Sequence, residues 1–105
     1  MFEVLSFYKF VKITSLKKNK DFIQKFLIKN KIRGTIIIAK EGLNGTISGK
    51  NKDIEKTTKK IKSIFSFKNF DSSNNSKSKF QPFHKLKVKI KKEIVPMNLT
   101  IKSKE

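Results

Sequence analysis

Gly34-Thr-Ile-Ile-Ile-Ala-Lys-Glu-Gly-Leu-Asn-Gly-Thr-Ile-Ser-Gly49 reads as a strand, a tight connection and a second strand. Thr35 to Ala39 is a short apolar, β-branched run, which suits a strand buried on at least one face. Gly42, Asn44 and Gly45 follow at once. An Asn-Gly pair between apolar runs signals a hairpin turn, because both residues tolerate positive φ. Thr46-Ile47-Ser48 resumes the alternation, and all four glycines of the chain lie within this stretch. Two readings stand side by side: a plain structural hairpin, and a loop whose exposed backbone approaches a ligand.

Upstream, Asp21 to Lys31 carries Phe22, Ile23, Phe26 and Leu27 at helical spacing, so a helix is expected there or starting a few residues earlier. Asn19 and Ser15 are both candidate caps. Before it, Phe2 to Ile13 is aromatic and β-branched and reads as a long first strand. Phe7, Val11 and Ile13 share one face with Lys9. Tyr8 and Phe10 share the other, where they either stack on bases or pack beneath neighbours.

Downstream, Asn51 to Phe65 spaces Ile54, Ile61 and Ile64 for a second amphipathic helix, with Asn51 as its expected N-cap. Ser66 to Lys79 is polar and low in complexity, and is expected to be a loop. In Phe80 to Val95, His84, Leu86, Val88 and Ile90 alternate with Lys85, Lys87, Lys89 and Lys91. This predicts a last strand with one apolar face and one row of cations, either a basic track or an edge guarded against aggregation. The domain is set at residues 1–95, with residues 96–105 as a tail. The order β-α-β-β-α-β predicts an α+β, ferredoxin-like plait: a four-stranded antiparallel sheet with two helices on one face and the other face open.

Lys and Arg total 26 against 8 acidic residues, a formal charge of +18. Such a field attracts polyanions, nucleic acid first among them. All of these cations are Lys except Arg33, and Lys, Ile, Asn and Phe are abundant together, so codon bias is a competing source of the charge. There is no cysteine, hence no thiolate nucleophile and no cysteine metal site. His84 alone builds no metal site, and no cofactor is expected. No apolar run approaches the roughly 20 residues of a membrane span. The cytoplasm is the default location.

Three segments together resemble one family: Tyr8-Lys-Phe-Val11, the Gly34 to Gly49 stretch, and Pro82-Phe-His-Lys-Leu-Lys-Val-Lys-Ile-Lys-Lys-Glu-Ile-Val95. They are similar, in the same order, to the N-terminal domain of the rhodanese-related tRNA uridine hydroxylases. The resemblance implies an acylphosphatase-like fold that helps to hold tRNA. It also implies a following rhodanese domain, whose catalytic cysteine supports hydroxylation of the wobble uridine. This chain stops about where that domain should begin. It is expected to be an isolated domain, a truncated piece or one part of a split gene.

Catalysis by the chain alone is not expected. An acylphosphatase needs a phosphate-cradling loop with an arginine after the first strand, and Thr14-Ser-Leu-Lys-Lys18 has neither glycine nor arginine. The leading expectation is an RNA-binding accessory domain for the anticodon region of tRNA. Lys85, Lys87, Lys89 and Lys91 would contact phosphates, with Lys9, Lys40 and Arg33 as weaker candidates. Tyr8 or Phe10 would stack on a base. The alternative is a docking module that packs on a rhodanese domain in cis or in trans without touching RNA.

Overall fold

The computed structural model describes residues 1–94, so Val95 and the expected tail at 96–105 lie outside the described residues. The apolar alternation read from the sequence builds the sheet centre. β1 (Phe2–Phe10) and β2 (Arg33–Ala39) flank β3 (Gly42–Lys50), and both pair with it antiparallel. Two helices, α1 (Leu16–Lys29) and α2 (Asn51–Ile64), cover one face. Leu5 and Phe7 of β1, Ile36 and Ile38 of β2, and Leu43 and Ile47 of β3 meet Ile23 and Leu27 of α1 and Ile54 and Ile61 of α2 there. Burying each such side chain fully contributes about 1.5–3 kcal/mol.

The hairpin forms, but its turn is not the Asn-Gly pair. Ala39 pairs with Gly42, so Lys40 and Glu41 make the turn, while Asn44 and Gly45 lie inside β3 opposite Ile37 and Ile36. The glycines serve close packing instead. A Cβ on Gly45 would stand 2.5 Å from the Thr35 carbonyl oxygen. Gly42, at φ +153°, leaves no room for a Cβ beside the Lys9 carbonyl.

The sheet departs from the expected four antiparallel strands. It has five, in the order β4-β1-β3-β2-β5. β4 (Ser72–Ser78) falls in the segment expected to be a loop and pairs antiparallel with β1. Its residues are Ser, Asn and Lys, nearly all exposed, so no apolar periodicity betrays it. Backbone pairing and polar side chains hold it instead. Asp71 Oδ2 accepts from the Phe10 amide at 2.6 Å, and Asn75 donates to Glu3. β5 (Leu86–Ile90) is the expected last strand, but it adds to the opposite edge and runs parallel to β2. The first four strands and two helices keep the ferredoxin-like plait, and β5 makes the sheet mixed.

Helix starts also differ from expectation. α1 begins at Leu16, with Ser15 at φ 50° in the cap position and no side-chain cap bond. Asn19, the other candidate cap, donates to the Thr14 carbonyl at 2.8 Å. Phe22, read as part of the buried stripe, is 45% exposed and stacks on Phe26. Asn51 is the first residue of α2 rather than its cap, and its amide donates to Glu3 Oε1 at 2.6 Å. β1 ends at Phe10, short of Ile13. Val11 and Ile13 then bond through their amides to Glu41 O and Lys40 O at 3.0 and 2.9 Å.

Candidate nucleic-acid interface

The sheet face opposite the helices is set by strand parity. β1 contributes Ser6, Tyr8 and Phe10, β3 contributes Asn44 and Thr46, and β2 contributes Arg33, Thr35 and Ile37. The register pairs Lys87 with Thr35 and Lys89 with Ile37, so these two cations edge the same face. Val88 turns to the core between them, and Leu86 packs against the core just before Lys87. At the other end of the face, Tyr8 and Phe10 meet edge to face with centroids 5.7 Å apart. Phe10 is exposed and Tyr8 half-buried. Between the aromatic pair and the cations lies a polar floor, where Ser6 Oγ and Thr46 Oγ1 are 3.0 Å apart. Such a surface offers stacking at one end, hydroxyls and amides in the middle and phosphate contacts at an edge.

The remaining sequence candidates scatter. Lys85 and Lys91 flank β5 and are exposed, and their backbones tie to β2: Gly34 N donates to Lys85 O, and Lys91 N to Ile38 O. Arg33 sits at the start of β2 and donates from Nη1 to Phe83 O at 3.4 Å. Lys40 is exposed in the hairpin turn, beside a smaller hollow that Lys12 and Ser15 also line. Lys9 lies on the helix side of the sheet, away from the lysine edge. There it pairs with Asp71 at 3.4 Å and stands 5.3 Å from the Phe67 ring centroid. The Asp71 carboxyl is held below its ordinary value chiefly by the Phe10 amide; burial opposes this, and Lys9 adds a lesser lowering.

Lys31, Lys50 and His84 are not among the RNA-binding candidates read from the sequence. They converge with Arg33 and Lys85 around a cleft at the end of the sheet where β2 begins. No motif joins positions so far apart in the chain, so only the fold reveals them. Glu41 and His84 belong to opposite ends of β2 and form no acid–base pair. Among the described residues, no three His, Asp or Glu side chains gather as a metal site. No helix among them is long and apolar enough to cross a membrane.

The five-stranded order β4-β1-β3-β2-β5 under two helices is consistent with an acylphosphatase-like domain. The acylphosphatase from Bacillus subtilis matches with a TM-score of 0.58 at 12% identity, over 84% of this chain and 98% of that one. A bacterial light-regulated adenylyl cyclase matches with a TM-score of 0.69 at 16% identity, over 98% of this chain and 32% of that one. At such identities the likeness concerns the fold alone.

Sequence is more specific. The chain belongs to the family of UPF0176 acylphosphatase-like domains, which matches residues 2–94. The tRNA uridine(34) hydroxylase of Pelagibacter ubique is 67% identical over 104 residues, covering 99% of this chain and 35% of that protein. The family resemblance carried by the three motifs is borne out. The chain spans about a third of the length of the curated relatives it matches.

Proposed function

We propose that this chain is the RNA-holding domain of a tRNA wobble-uridine hydroxylase, working in the cytoplasm and not catalytic by itself. The observation that carries the reading is the 67% identity, across nearly the whole chain, to a protein named tRNA uridine(34) hydroxylase. The open face supports the role of holding RNA. Lys87 and Lys89 meet phosphates along its β5 edge, and Tyr8 and Phe10 offer a stacking surface at its β1 end. The chain has no cysteine, so the catalytic thiol comes from a rhodanese domain in cis or in trans.

A second reading has the open face pack on that rhodanese domain without touching RNA. The exposure of Phe10, at 45%, favours it. Binding of the purified chain to an anticodon stem-loop, beside scrambled RNA and duplex DNA, separates the two. The RNA-holding reading expects a preference for the stem-loop that survives moderate salt. Equal binding to all three, collapsing as salt rises, is plain counterion release and favours docking.

A further inference from the structure

One end of the molecule holds an open cleft of about 580 Å³, within the size range of small-ligand sites. Its walls come from the start of β1, the end of α1, the start of β2, the β3–α2 junction and the segment leading into β5. The floor is apolar, made by Phe2, Ile28, Ile32 and Leu86. Ile28 is 57% exposed, so its side chain is open to a ligand in the cleft. Around that floor stand Lys31, Arg33, Lys50 and Lys85, with His84 beside them. Asp53 is the single carboxylate among the lining residues.

The backbone fixes this rim. Lys31 has φ 59°, and Gly34, at φ +126°, has no space for a Cβ against the Thr46 carbonyl. Together they carry the chain from α1 into β2 within a few residues and present Lys31 and Arg33 at the rim. Arg33 makes one long hydrogen bond, at 3.4 Å to Phe83 O, although a guanidinium has five donors. The others suit a phosphate. Opposite, Lys50 stands at the head of α2, whose first-turn amides and dipole also favour negative charge.

An apolar floor with a cationic rim selects a ligand with a flat apolar body and negative charge at its margin. We infer that this cleft takes one unpaired nucleotide of single-stranded RNA, its base on the Phe2, Ile28 and Leu86 floor and its phosphates against Lys31, Arg33 and Lys50. The Asp53 carboxylate accepts from a base N–H. The inference rests on the RNA-holding reading and assigns it a second contact, at the sheet's end rather than on its open face.

Two variants test it in the full chain, each checked for folding by circular dichroism. Lys31→Glu with Lys50→Glu reverses the rim at exposed positions. Ile28→Asn takes apolar surface from the floor at an exposed helix position. The probes are a stem-loop with unpaired loop nucleotides, the same stem closed as a blunt duplex, and uridine monophosphate alone. Both variants are expected to weaken stem-loop binding by about tenfold or more. The Ile28 variant should leave duplex binding within about twofold, since the duplex offers no free base, and the charge reversal should weaken duplex binding much less than stem-loop binding. A stem-loop carrying 4-thiouridine in its loop should crosslink at Phe2 or at His84.

Equal loss for stem-loop and duplex would overturn the inference, because it would mean non-specific charge. So would no loss for either, with crosslinks mapping only to Tyr8, Phe10, Lys87 or Lys89 on the open face. Both outcomes leave RNA binding itself intact. If the unaltered chain binds no RNA at all, the RNA-holding reading fails, and this inference fails with it. Saturable binding of an acidic peptide, with none of the loop, would likewise overturn it in favour of a protein partner.

Discussion

Two hydroxyls are buried without a hydrogen-bond partner among the described residues, Ser48 Oγ and Thr57 Oγ1. Thr57 faces the core from α2, and both residues are fully covered. A hydroxyl taken from water and left unpaired costs roughly 1–3 kcal/mol. Replacing Thr57 with Val keeps the shape and removes that cost, so Thr57→Val is expected to stabilise the fold by about 1 kcal/mol. A rise in the urea midpoint at unchanged slope would show it, and a fall would mean that the hydroxyl has a partner. Asp71 gives a second test at this scale. Its carboxyl is held below the ordinary range, so the folded chain binds fewer protons there than the unfolded one. The resulting stability is present above the unfolded value and is lost as pH falls through the folded one. Stability measured from about pH 5 down to about pH 2 should decline less steeply in Asp71→Asn than in the natural chain. Parity along β1 put Lys9 on the face of Phe7 from sequence alone. Its partner Asp71 was not legible, because it comes from a polar segment with no pattern.

At the scale of elements, the sheet is unevenly held. β1 and β3 are central, paired on both sides, and supply Leu5, Phe7, Leu43 and Ile47 to the core. β4 is an edge strand that supplies none, and its side chains lie almost wholly in solvent. Local opening should therefore cost far less at β4 than at β3. In hydrogen exchange, the β4 amides are expected to exchange at least about a hundredfold faster than those of β3. Comparable rates would mean that β4 opens only with the whole sheet. The same contrast explains what the sequence disclosed. Apolar repetition at Ile36 and Ile38, or at Ile54 and Ile61, reports burial, and those elements were legible. Ser72 to Ser78 buries nothing, so a strand held by backbone pairing leaves no trace in hydropathy. β5 was legible as a strand from its Lys and apolar alternation. Its place beside β2 depends on residues 79–85 crossing the end of the sheet, which no local pattern encodes.

At the scale of the molecule, a charge of +18 rests on a small plait whose open face is edged by cations from one strand. Net charge alone draws any polyanion, and its effect fades as salt rises. The cleft rim escaped the sequence because it is assembled from Lys31, Arg33, Lys50, His84 and Lys85, which only the folded topology brings together. The proposed RNA-holding role has RNA lying on the open face against the β5 edge. Its most direct test is the salt dependence of stem-loop binding for the natural chain and for a chain carrying Lys87→Glu and Lys89→Glu. If Lys87 and Lys89 hold RNA, the double variant binds at least about tenfold more weakly, with a log–log salt slope smaller by about 1.4, the share of two phosphate contacts to a single strand. An unchanged affinity and slope in the double variant would contradict it, and would leave the lysines of β5 as guards of a sheet edge.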